Sequence, residues 1–282
     1  MLQALFRTKP IEQGETGLKK CLSAFDLTLM GIGAIIGAGI FVLTGIVAAN
    51  QAGPAVVLSF VIAGIACAFA ALAYAELAAT LGNCGSAYGY CYVAFGELVA
   101  WVIGWILLLE YGVAVAAVAN GWSGYFCNAL AAMGIGLPEA LAKSPEAGGI
   151  INLPASAIIL VLMGLLIVGV RQSAQFNTAM VFVKLLTVAV FIAIAAFNVN
   201  PDNWQPFMPY GWFNTLPDGT TTGVLAGASL VFFAYIGFDA VSTAVEEAKN
   251  PQRDAPIGII ASLVFCTVVY IVVSGLLTGV LP

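Results

Sequence analysis

The chain has 282 residues, of which 61% are hydrophobic and 8% charged, and its mean hydropathy is +1.02. Soluble domains carry about a quarter charged residues, so a water-soluble globular protein is excluded, and long apolar runs point to membrane helices rather than barrel strands. A net charge of −5 with nine basic residues excludes a nucleic-acid surface, and the lack of any histidine excludes histidine-based triads, haem ligation by histidine and HExxH metal sites.

Residues 1–21 are polar, with Arg7, Lys9, Glu12, Glu15, Lys19 and Lys20. They lack the apolar core and cleavage site of a signal peptide, which predicts a retained cytoplasmic tail. Seven spans follow: Phe25 to Asn50, Gly53 to Leu81, Glu97 to Ala119, Pro154 to Val170, Thr178 to Val199, Thr222 to Val245 and Pro256 to Leu281. With the amino terminus inside, Arg7, Lys9, Lys19, Lys20, Arg171, Lys249 and Arg253 are cytoplasmic and Lys143 is outside. This is a positive-inside pattern. The six cysteines, Cys21, Cys67, Cys84, Cys91, Cys127 and Cys266, show no metal-ligand spacing and read as free thiols, so no metal or cofactor is expected.

The first span contains Gly31-Ile32-Gly33-Ala34-Ile35-Ile36-Gly37-Ala38-Gly39-Ile40-Phe41. Each glycine costs about 1 kcal/mol in a helix interior relative to alanine, so this is the weakest piece of helix in the span. Two readings stay open. The helix opens here and its freed amides and carbonyls bind a ligand, or Gly33 and Gly37 form a GxxxG face for close helix packing.

Three ionisable residues fall at membrane depth, where charge is costly and marks function. Lys184 in Val181-Phe182-Val183-Lys184 either snorkels to the cytoplasmic interface or faces the bundle interior as an ion-coupling group. Glu110 in Leu107-Leu108-Leu109-Glu110-Tyr111 is too deep to reach water and needs a partner or a cavity. Asp239 follows Gly237 in Phe232-Phe233-Ala234-Tyr235-Ile236-Gly237-Phe238-Asp239 and is placed to cap the second half of a broken helix. The interrupted spans are the first and the sixth, the spacing of an inverted repeat of five helices.

These residues carry a resemblance. Gly31 to Phe41 (GIGAIIGAGIF), Tyr74 to Leu77 (YAEL) with Gly85 to Tyr92 (GSAYGYCY), Gly104 to Tyr111 (GWILLLEY) and Phe232 to Pro256 occur in the same order in the amino acid–polyamine–organocation permeases. Within them the chain is similar to bacterial relatives of the cationic amino acid transporters. After Leu81 it departs from the family, with Gly82-Asn83-Cys84 where a proline and a basic residue are usual.

The resemblance implies an all-α integral membrane protein of the leucine-transporter inverted-repeat type, with helices 1 and 6 discontinuous. Residues 22–282 would be its permease domain, holding the first five-helix repeat and two helices of the second, incomplete at the carboxyl end relative to the family. It implies amides of Ala38, Gly39 and Ile40 on a substrate carboxylate, carbonyls of Ile35, Phe233, Ala234 and Ile236 on the α-ammonium, and Phe233 as an aromatic gate. Glu110 matches an acid near the substrate and Lys184 the proton-coupling lysine, while Gly37, Gly237 and Asp239 support the breaks. The expected function is proton-coupled amino acid transport by alternating access in the inner membrane, with amino acid, proton and lipid bilayer as partners and neither enzymatic chemistry nor nucleic acid. The alternative is a non-transporting subunit, or half of a split permease, that needs a second polypeptide.

Overall fold

The computed structural model describes residues 7–9, 20–81, 85–168, 170–217 and 219–281. Glu12, Glu15 and Lys19 of the expected tail, the Gly82-Asn83-Cys84 turn and Asp218 lie outside the described residues. The protein is overwhelmingly helical, and the chain divides into two compact units, one of Met1–Gly104 with Met180–Pro282 and one of Trp105–Ala179.

Helix α1 (Ala24–Ile35) begins at a capping box, in which the Asp26 carboxylate accepts from the Ser23 amide at 2.9 Å and Ser23 Oγ accepts from the Asp26 amide. That exchange satisfies donors that a helix start leaves orphaned. Upstream, Cys21 and Leu22 donate their amides to Glu247 O, and Lys249 returns its own to Leu22 O, so the entry strand pairs with residues after the sixth span.

After α1 the chain re-forms helix as a π turn (Gly39–Leu43), the single α turn α2 (Thr44–Val47) and a second π turn (Ala48–Ala52). Gly53, at φ 61° and ψ −148°, then turns the chain into a short 3₁₀ segment and α3 (Val56–Leu81). Only glycine takes that backbone conformation without strain, which is why the first two spans separate there.

Helix α4 (Ser86–Phe95) was not foreseen as an element; Gly85 at φ 127° and Gly96 at φ 92° bracket it. Helix α5 (Glu97–Ala132) runs thirteen residues beyond the expected end at Ala119, because Asn120, Ser123 and Asn128 break the apolar pattern without breaking the helix. The short α6 (Glu139–Ala142) and α7 (Leu153–Val168) follow. Helix α8 (Val170–Ala196) starts earlier than the Thr178 expected, since polar Arg171, Gln172 and Gln175 are compatible with helix outside an apolar run. A two-stranded ribbon, β1 (Asn214–Thr215) and β2 (Thr221–Thr222), takes up the residue where the sixth span was expected to start. Helix α9 (Val224–Val231), two 3₁₀ segments (Phe232–Tyr235 and Phe238–Glu247) and α10 (Pro251–Val280) complete the chain.

Among the described residues, five helical stretches are long and apolar enough to cross a membrane, and Ala24–Ile35 and Leu153–Ile167 are shorter apolar helices. In the first unit α10 lies against α1 and α3, and α3 against α9. Their shared core holds Leu27, Ile35, Phe60, Val231, Tyr235, Ile259 and Tyr270. Ser59 Oγ donates to Val224 O at 2.8 Å, which fixes the start of α9 on α3.

In the second unit Asn152 organises the polar end. Its Oδ1 accepts from the buried Ser123 hydroxyl at 2.6 Å and from the Ala155 amide, and its Nδ2 donates to Asn120 Oδ1 at 2.7 Å. Trp105, Leu108, Leu109, Val113 and Leu166 are exposed, a surface suited to hydrocarbon rather than water.

Candidate functional site

The α-helical run of the first span stops at Ile35. Ile36 is extended, with φ −73° and ψ 105°, and helix resumes only at Ala38. The first amides of any helix lack a partner within it, so Ala38, Gly39 and Ile40 head the second half-helix with N–H groups directed out of its positive end. Ile35, Ile36, Gly39 and Ile40 are all buried.

The sixth span is interrupted in another way. It tightens to 3₁₀ over Phe232–Tyr235, Ile236 turns extended at ψ 132°, and Gly237 adopts φ 119°. Helix resumes at Phe238. Phe233 O accepts the Ile236 amide at 3.3 Å, closing the turn locally, whereas the Ala234 carbonyl points elsewhere.

The two interruptions touch. A Cβ placed on Gly39 would overlap the backbone of Ala234, and one on Gly237 would stand 2.9 Å from the carbonyl carbon of Ala34. Gly31, in the same stretch, packs against the side chains of Ser262 and Val241. The helix opens within the glycine stretch, and the close contacts in it are those of Gly31 and Gly39.

Side chains from distant positions occupy the freed carbonyls. Lys184 Nζ donates to Gly33 O at 2.6 Å and to Ile36 O at 2.8 Å, so the amine is turned into the bundle at the first interruption rather than toward an interface. The Tyr270 hydroxyl lies 2.8 Å from Ile35 O and 2.8 Å from Ala234 O, one carbonyl from each interrupted helix. Sequence reasoning missed Tyr270. The signal available was a hydroxyl inside Val268-Val269-Tyr270-Ile271-Val272, since a buried tyrosine needs a partner.

Asp239 is buried in the first turn of the second half-helix, where negative charge suits the helix dipole, and its Oδ2 accepts from Ser86 Oγ of α4 at 3.4 Å. Its main-chain oxygen accepts from Ser242 Oγ at 2.6 Å. Phe233 is half-buried, and so is Ile236. Glu110 lies half-buried on the part of α5 that belongs to the second unit. Among the described residues there is no cluster of histidine, cysteine and carboxylate side chains able to hold a metal ion.

Long apolar helices whose exposed faces carry large hydrophobic side chains, together with buried peptide groups left open in mid-span, define a multi-pass, all-α membrane protein. Comparison with known proteins places it further. The family described as amino acid permease matches residues 22–282. The methylthioribose transporter of Bacillus subtilis is 49% identical over 288 residues, covering 100% of this chain and 60% of that protein. The branched-chain amino acid permease BcaP of the same organism is 51% identical over 292 residues, covering 100% and 61%. Human cationic amino acid transporter 4 is 39% identical over 291 residues, covering 100% and 44%. The chain belongs to the amino acid permease family, and it spans about 60% of the length of the two Bacillus relatives.

Proposed function

We propose that this chain forms the substrate-holding and proton-holding part of a secondary active transporter for amino acids in the inner membrane, with its amino terminus cytoplasmic. Residues 22–282 act as its permease domain, with the two interrupted helices as corresponding members of a leucine-transporter-type inverted repeat. The observation that carries the reading is the backbone contact of the two interruptions, Gly39 on Ala234 and Ala34 on Gly237. It brings a helix start rich in amides beside helix ends rich in carbonyls.

An amino acid fits that polarity. Its carboxylate takes the amides of Ala38, Gly39 and Ile40, where the half-helix dipole is positive. Its ammonium takes carbonyls of Ile35, Phe233, Ala234 and Ile236, with the Phe233 ring beside them as an aromatic gate. No covalent step is involved. The family resemblance assigns Glu110 to the substrate's side chain, and Gly37, Gly237 and Asp239 keep the two helices open.

Coupling follows from Lys184. A protonated amine makes charge-assisted bonds to Gly33 and Ile36, roughly twice as strong as neutral ones, and loss of the proton weakens both. The first interruption thereby changes its grip with protonation, and occupancy of the site is linked to the proton during alternating access. Uptake of alanine, leucine and arginine into proteoliposomes under an imposed proton gradient tests this. Accumulation is expected with the unaltered chain and not with Lys184→Ala; a mutant that still accumulates substrate against a gradient removes the lysine from the mechanism.

A further inference from the structure

We propose that Tyr270 is the positioning residue that ties the two interrupted helices together, holding the Ile35 and Ala234 carbonyl oxygens with one shared proton. The inference rests on the reading of this junction as the amino acid site and names what sets its geometry. A phenol has a single proton to donate, yet two carbonyl oxygens lie 2.8 Å from it. The phenol serves one of them at any instant, and Tyr270 is fully buried, where an oxygen with no other donor among the described residues is costly. A ligand ammonium brings three donors and supplies the missing one.

The position of the hydroxyl is set by packing. The Tyr270 ring lies 5.3 Å from Phe60 and 5.3 Å from Tyr235, so it is wedged between α3 and the 3₁₀ turn before the second interruption. Its neighbour has other work: the Tyr235 hydroxyl donates to Phe60 O at 2.8 Å. The Lys184 amine serves Gly33 and Ile36 and leaves Ile35 to the phenol. Among these side chains Tyr270 is the one that reaches both interruptions, and it sets the separation of their carbonyls before a ligand arrives.

The test compares Tyr270→Phe, which keeps the ring and removes the hydroxyl, with Tyr235→Phe, the same change one ring away. Amide hydrogen exchange of the ligand-free protein is followed over residues 33–40 and 232–238. Tyr270→Phe is expected to speed exchange on the order of tenfold in both segments, and Tyr235→Phe in the second segment only. Amino acid affinity is expected to weaken on the order of tenfold in Tyr270→Phe and to change little in Tyr235→Phe. Unchanged exchange, or a change confined to one segment in Tyr270→Phe, overturns the proposal. A wild-type chain that binds no amino acid overturns the reading of the site and not the tie, which exchange tests alone. If Tyr270→Phe does not fold, 3-fluorotyrosine at position 270 keeps the shape and strengthens the donor; slower exchange in both segments is then expected, and no change overturns the tie.

Discussion

The first interruption is opened by sequence weakness and held from a distance by Lys184 and Tyr270, whereas the second shares the Tyr270 tie but takes its shape from its own residues. Around Ile36 no described residue takes positive φ; the chain extends, and the carbonyls it frees are met by Lys184 and Tyr270, from α8 and α10. Around Ile236 a 3₁₀ turn satisfies Phe233 O within the segment and Gly237 at φ 119° turns the chain, with Tyr270 meeting Ala234 O as it meets Ile35 O. On the proposed coupling, the segment held by Lys184 would respond to protonation and the segment shaped by turn geometry would give it something to close against.

The largest effect that breaks this comparison comes from Gly39→Leu. The side chain would enter the Ala234 backbone, which cannot move aside as a flexible side chain would. We expect a loss of about 3 kcal/mol or more from overpacking, read as failure to recover a monodisperse protein in detergent. Survival of a folded, ligand-binding Gly39→Leu protein would mean that the interruptions do not need to meet.

Lys184→Met comes next. It leaves Gly33 and Ile36 oxygens without their donor, at about 1 to 3 kcal/mol for each unsatisfied group, less whatever water regains. Exchange of amides 33–40 should accelerate while 232–238 keeps its wild-type rate, because no bond from Lys184 reaches the second segment. Equal acceleration in both would erase the distinction drawn between them.

Gly237→Ala probes the local device. A left-handed backbone costs a non-glycine residue about 1 to 2 kcal/mol, and the added methyl would crowd Ala34. A fall in the thermal midpoint, with faster exchange at 232–238, is the expected outcome; an unchanged midpoint contradicts the role given to this glycine. Ser86→Ala should be mildest, at about 0.5 kcal/mol, because its bond to Asp239 is long at 3.4 Å.

The two interruptions differ also in how much of them the sequence discloses. Glycines clustered at 31, 33, 37 and 39 announce a weak helix because propensity is a local property. A lone glycine beside an aspartate, as at Gly237 and Asp239, announces less, and Asp239 is engaged by a serine from α4, an element the alternation of polar and apolar residues does not mark. What holds the first interruption is illegible for a related reason. Lys184 lies 151 residues from Gly33, and Tyr270 lies 235 residues from Ile35, so nothing near either position records the contact. Composition and apolar runs are enough to place the helices in a membrane. They misplace ends such as those of α5 and α8, where polar residues ride on a helix that continues.

The most direct measurement is equilibrium binding of whichever of alanine, leucine and arginine is held tightest, set against its α-amide and its deaminated analogue. If peptide groups at the two interruptions grip both charged ends, each analogue should bind at least about 100-fold more weakly, since each leaves one charge-assisted set unmade. Analogues that bind as well as the parent amino acid would show that the side chain alone is recognised, and would contradict the account.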